Sequence, residues 1–175
     1  RTWAPMLQGR YLGPAAMGFR AHTGTRQLAQ FLVDVVAPRT ADGREVWLAS
    51  FDIRKCYDSI PWWALWLTMR KAGVPPCALR AFRTFYQQLR RRFRYGSQDG
   101  DPWLATNGLA QGCPAAPDKL NILFEPFHRW AASTGLGVVL PGIGRVASGS
   151  FADDVVLIAG SRQDLEQLVS GYLLW

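Results

Sequence analysis

Cysteine and histidine are scarce in this chain: Cys56, Cys77 and Cys113 lie far apart, and His22 and His128 stand away from them. No C-x-x-C pair occurs and no histidine falls at ligand spacing, which excludes a zinc site and a disulfide framework. The cysteines read as reduced thiols of an intracellular protein. Apolar runs of membrane-spanning length are missing, as is a signal peptide, so no membrane partner is expected. Repeats and low-complexity tracts are absent too. Acidic residues are few: 13 against 20 Lys and Arg leave a net charge of +7 and a pI near 9.8, which suits an acidic partner such as nucleic acid. The chain also lacks an initiating methionine and stops inside a helical pattern at Trp175, so a fragment of a longer protein is expected.

What is present suffices for a core. The 175 residues are 49% hydrophobic, enough for one domain or one lobe of a larger one. Residues 1–22, rich in Gly, Pro and Arg, read as irregular or extended. Thr23 or Thr25 is expected to cap a helix carrying Leu28, Phe31, Leu32, Val35 and Val36 on one face and ending before Pro38. Residues 46–53 read as a buried strand, apolar on both faces until Asp52. Asp58 and Ser59 offer a cap for a helix with Trp62, Leu65, Trp66 and Met69 on its apolar face. A further helix is expected over 77–91, burying Leu79, Phe82, Tyr86 and Leu89 and displaying Arg80, Arg83 and Arg90. Strands at 92–95 and 103–106, a helix over 118–132 kinked at Pro126, and a last helix over 164–174 complete the reading. This irregular alternation, with hairpins, predicts an α+β domain.

Chemistry concentrates around Ser150 to Gly160, where Asp153 and Asp154 sit at a tight turn between apolar strands. An isolated Asp-Asp turn is ordinarily just solvated. Two adjacent carboxylates repel, however, and a hard divalent cation is the natural compensation. Asp52, at the end of a strand a hundred residues upstream, offers a third carboxylate. A two-metal site needs such converging carboxylates, though spacing alone does not establish convergence.

Several segments then resemble one family. The stretch Phe51 to Pro61 (FDIRKCYDSIP) is similar to the first catalytic motif of reverse transcriptases. Gln111-Gly112-Cys113-Pro114, followed by Pro117 and Asn121, resembles their nucleotide-site motif, and Phe151-Ala152-Asp153-Asp154 their second catalytic motif. Gly18-Phe19-Arg20 with Gly24-Thr25 resembles the fingers segment of the non-LTR (LINE-type) retrotransposon branch. The resemblance implies the palm of a right-hand polymerase, an antiparallel sheet with packed helices, plus partial fingers. About 1–45 would be fingers and 46–175 mostly palm, with a finger-like insertion at 60–106.

It implies RNA-directed DNA synthesis by two-metal phosphoryl transfer to a primer 3′-hydroxyl. Asp52, Asp153, Asp154 and the Ile53 backbone carbonyl would hold two Mg2+ ions, with Mn2+ as a substitute. Tyr57 would lie beneath the incoming sugar and exclude a ribose 2′-hydroxyl, while Gln111 and Gly112 would flank nucleotide and template. Arg20, Arg90 and Arg91 are candidate nucleic-acid contacts, against the plainer reading of solvated arginines. Partners would be an RNA template, a DNA primer and deoxynucleoside triphosphates, with the nucleus as the site of action and no oligomeric state implied. Residues 1–175 alone would polymerise poorly, because most of the fingers and thumb lies outside them. The alternative is a catalytically inactive nucleic-acid-binding relic. It draws on Asp118-Lys119, a charged pair where relatives run apolar, which is expected to disturb packing.

Overall fold

The computed structural model describes residues 10–20 and 22–175, so the irregular chain expected at 1–9 lies outside the described residues. Its centre is a three-stranded antiparallel sheet in the order β1 (Trp47–Asp52), β9 (Asp154–Ala159), β8 (Ser148–Phe151). The middle strand β9 is buried on both faces, and its side chains alternate between two cores. Val155, Leu157 and Ala159 join the large core, whereas Val156 and Ile158 join a smaller one with Val35, Val138 and Leu140. The large core is walled by α3 (Trp62–Lys71), α4 (Pro76–Gln87), α5 (Ala116–Ser133) and α6 (Arg162–Leu174). The smaller one lies under α1 (Thr25–Ala41) and the hairpin of β6 (Val138–Leu140) and β7 (Gly144–Val146). Fold class is α+β, as the sequence predicts.

Several local expectations are corrected. The strand at 46–53 is not buried: β1 is an edge strand paired only to β9, and Trp47 and Leu48 remain 37% and 44% exposed. Apolar residues on both faces mark a central strand only when neighbours exist on both sides, and that place belongs to β9. Pro38 does not end α1, which runs on to Ala41. The proline removes one donor near the C-terminus, where the last turn still closes through Asp42 N–H to the Pro38 carbonyl. Neither Thr23 nor Thr25 caps α1. Gly24 holds that position, and Thr23 Oγ1 donates instead to the carbonyls of Met17 and Arg20.

Asp58 and Ser59 belong to a single helical turn, α2 (Cys56–Ser59), and Pro61 precedes α3. The helix over 77–91 stops at Gln87. Arg90–Arg91 forms β2, which pairs with β5 (Trp103–Leu104), and β3 (Arg94–Tyr95) pairs with β4 (Gln98–Asp99) in the same extended ribbon. Leu89 continued the helical spacing of Leu79, Phe82 and Tyr86, but its N–H and carbonyl close onto Tyr86 and Ala105, carrying the chain into the ribbon.

Candidate active site

Register places the carboxylates. Asp52 is the Cα partner of Asp154 across the β1–β9 pair, and Asp154 also pairs with Phe151 of β8. A two-residue turn, Ala152-Asp153, therefore joins β8 to β9 beside the end of β1. Cross-strand partners share one face of a sheet, so Asp52 and Asp154 emerge on the same side. Asp52 and Asp154 are exposed and Asp153 is half-buried. None of the three carboxylates has a hydrogen-bond or ion-pair partner among the described residues. They are not gathered into a preformed ligand cluster, since no group of three or more His, Cys, Asp or Glu is so placed among the described residues.

The turn is held from behind. Ala152 adopts a left-handed φ of 57°, uncommon for a residue with a side chain, so the surroundings must impose it. Gly18 supplies one such contact: a Cβ there would lie 2.4 Å from the Ala152 nitrogen, so only glycine allows this approach. The Gly18 carbonyl accepts a 2.7 Å bond from Asn121 Nδ2, and Met17 N–H and Ser150 N–H fasten residues 15–17 along the free edge of β8. Below the turn, the buried Cys56 thiol is pushed up to about 12, first by burial and then by the charges of Asp153 and Asp52. Both carboxylates thus bear on one sulfur.

Tyr57, Gln111 and Gly112 do come together. With Cys113, Ala116 and Pro117 they line a cleft of about 380 Å³ that the three aspartates do not wall. Burial raises the Tyr57 hydroxyl, with Cys56 and Asp153 adding to it, so cleft and carboxylates share one electrostatic neighbourhood. Gly112 takes φ 80° with open space around it, so the turn demands glycine for its backbone angle rather than for a close approach. The loop before it is anchored by Gly108 N–H to the Ile60 carbonyl and by Trp62 Nε1 to the Gly108 carbonyl. The Ile53 carbonyl accepts from Cys56 N–H at 3.0 Å and keeps a second lone pair.

The candidate arginines differ from one another. Arg20 Nη1 donates to the carbonyls of Gly13 and Ala16, bracing the segment beside β8. Arg91 pairs with Asp58 at 3.0 Å and reaches the Leu109 carbonyl. Arg90 is exposed and has no such partner among the described residues. Sequence reasoning did not find Gly18 as the support of the Asp153 turn, although the glycine stood within a recognised motif. It also did not find where Lys119 goes, since its aromatic surroundings come from another helix.

An antiparallel sheet with helices on it, two carboxylates in cross-strand register and a third in the adjoining turn define a polymerase palm with part of the fingers. The profile described as "Reverse transcriptase (RNA-dependent DNA polymerase)" matches residues 4–174, and the chain belongs to that family. It is 26% identical over 163 residues to the "Retrovirus-related Pol polyprotein from type-2 retrotransposable element R2DM" of Drosophila melanogaster, covering 89% of this chain and 15% of that protein. It is 25% identical over 158 residues to the corresponding polyprotein "from type-1 retrotransposable element R2" of Nasonia vitripennis, covering 83% and 15%. The chain thus spans about 15% of the length of these non-LTR retrotransposon relatives. Among solved structures it resembles apo telomerase from Candida tropicalis, truncated from the C-terminal domain, with a TM-score of 0.63 at 14% identity over 96% of this chain and 34% of that one. Telomerase from Candida albicans in complex with a fragment of telomeric RNA gives 0.60 at 11% identity, over 96% and 29%. At such identities the likeness establishes the fold. No helix among the described residues is long and apolar enough to cross a membrane.

Proposed function

We propose that this chain is the catalytic core of an RNA-directed DNA polymerase that extends a primer 3′-hydroxyl with deoxynucleotides. The observation that carries the reading is the placing of three unpartnered carboxylates at one end of the sheet, beside the cleft of Tyr57, Gln111 and Gly112. Carboxylates left without a partner at one end of a sheet are well suited to hard divalent ions. The donors fit magnesium: Asp52, Asp153, Asp154 and the free lone pair of the Ile53 carbonyl are all oxygens. Bound there, the ions would activate the primer hydroxyl and stabilise the departing pyrophosphate.

The chain's own groups do the rest. Tyr57 lines the cleft, where its ring would exclude a ribose 2′-hydroxyl, and the Gln111-Gly112 turn would offer its backbone to the base and sugar. The +7 charge favours a template–primer duplex. Residues up to about 45 would serve as fingers and those from 46 mostly as palm, with 60–106 as a finger-like insertion. The disturbed packing expected at Asp118-Lys119 is not seen: α5 runs unbroken through both residues, with Lys119 buried. The test is extension of a primed RNA by the full-length protein with magnesium and each nucleotide type. Deoxynucleotides should be incorporated and ribonucleotides rejected. Extension that survives Asp52→Asn, or that needs no divalent cation, overturns the assignment.

A further inference from the structure

Lys119 lies on the first turns of α5 and is 0% exposed. No carboxylate pairs with it among the described residues. Its Nζ sits 4.0 Å from the centre of the Phe82 ring and 4.6 Å from that of Tyr86, and 3.3 Å from Tyr86 Oη. Burying an ammonium is costly, and here two π faces and one phenol oxygen stand in for the water it gave up. The same oxygen accepts the Ala110 N–H at 3.3 Å. Tyr86 is itself fully buried and met edge-on by Trp62, Trp66 and Phe85 at 5.4–5.5 Å, so its ring has no room to swing. Residues 108 and 109 have their own ties to α2, α3 and Arg91. Ala110, immediately before Gln111, is held by a side chain only at Tyr86 among the described residues.

We propose that Lys119 is a positioning residue, a buried cation that fixes the Tyr86 hydroxyl and through it holds the Gln111-Gly112 turn ready for the incoming nucleotide. The inference rests on the polymerase reading above. An apolar side chain of similar length would fill the same bed without burying a charge. Lysine is therefore the wrong choice for stability and the right one for holding the loop.

That opposition supplies the test, made on the full-length protein with Lys119→Met and Tyr86→Phe. Hydrogen–deuterium exchange over residues 107–113 should quicken by about tenfold in either variant, while the sheet stays protected. Lys119→Met should keep or raise Tm, since removing a buried charge relieves its desolvation. In primer extension, KM for deoxynucleotides should rise about fivefold or more with kcat nearly constant. The double variant should do no worse than either single one, because both break the same link. Unchanged exchange over 107–113 overturns the proposal, as does faster exchange with an unmoved KM. Tyr86→Phe keeps the ring and decides the matter should Lys119→Met fold poorly. Absence of any extension by the unmutated protein would strike the polymerase reading alone and leave exchange to judge Lys119.

Discussion

At the Asp153 turn three carboxylates stand without a hydrogen-bond or ion-pair partner among the described residues, whereas behind β8 Glu125, His128 and Arg129 are all engaged. Glu125, 2% exposed, accepts from Gly13 N–H with one oxygen and from Arg129 Nε with the other. His128, equally enclosed, shares one ring nitrogen with Ser148 Oγ and the other with Ser150 Oγ, both at 2.9 Å. The two regions are joined by one short strand but differ in burial: Asp52 and Asp154 are exposed, while Glu125 and His128 are enclosed. Polar groups that serve the fold are satisfied within it, because an unpaired buried polar atom costs stability. Groups left unpaired at a solvent-facing edge are available to something that arrives.

The largest effect expected from this contrast is at the unpaired end. Asp153→Asn preserves shape and removes a charge, so primer extension should fall by at least about 100-fold. Tm should hold or rise, since one repulsion disappears. If Tm dropped along with activity, Asp153 would belong with the structural groups and the comparison would break.

The engaged end should answer to pH instead. Burial pushes His128 down to about 4 from its ordinary value, so the folded state favours the neutral ring. A depressed histidine contributes its stability above the unfolded pKa near 6.5 and loses it as pH falls from there toward 4. The loss amounts to about 3 kcal/mol over that window for one proton. Urea unfolding of the protein and of His128→Asn between pH 7 and 4 should show a shallower decline in the variant. Parallel curves would mean that the imidazole is not enclosed by Ser148 and Ser150 as described.

How far these two ends were legible beforehand differs for physical reasons. The Asp153 turn could be read from residues alone, because apolar runs flanking an acidic pair report a hairpin and the hairpin fixes the pair at its tip. The cleft motif at Gln111-Gly112 was legible through its resemblance. The engaged side was not: Ser148, Ser150 and His128 meet only after β8 crosses α5, and no local pattern encodes that crossing. Edge position misled in the same way at β1, whose composition matches a central strand. The sequence marks Lys119 as a misfit, but its bed is built by Phe82 and Tyr86 on another helix. Local periodicity reports what a segment prefers and says little about which partner it finds.

A smaller effect concerns a buried group that breaks the pattern. Tyr172 Oη is enclosed and is the one buried side-chain polar atom without a partner among the described residues. Burial, and then Cys56, pushes this hydroxyl up to about 12. Tyr172 packs against Phe51 of β1 and Phe127 of α5, so its ring is needed and its oxygen is not. Tyr172→Phe should therefore stabilise the fold, by about 1 kcal/mol in denaturant unfolding. A destabilised variant would reveal a partner for the hydroxyl.

The smallest effect, and the finest use of the comparison, lies in two adjacent arginines. Arg90 is exposed and unpartnered among the described residues, while Arg91 is tied to Asp58 and the Leu109 carbonyl beside the cleft loop. If unpaired charge marks a group kept for a ligand, only Arg90 should behave as a phosphate contact. Each neutralised phosphate releases counterions, so Arg90→Ala should flatten the log–log salt dependence of duplex binding by about 0.7–0.9. Stability should be untouched. Arg91→Ala should leave the salt slope alone and cost about 0.2–1 kcal/mol of stability, the usual worth of a partly exposed pair. The two outcomes are opposite in kind, one seen only with nucleic acid and the other only without it. Equal slopes for both variants would show that partnering inside the fold does not separate binding arginines from structural ones at this edge.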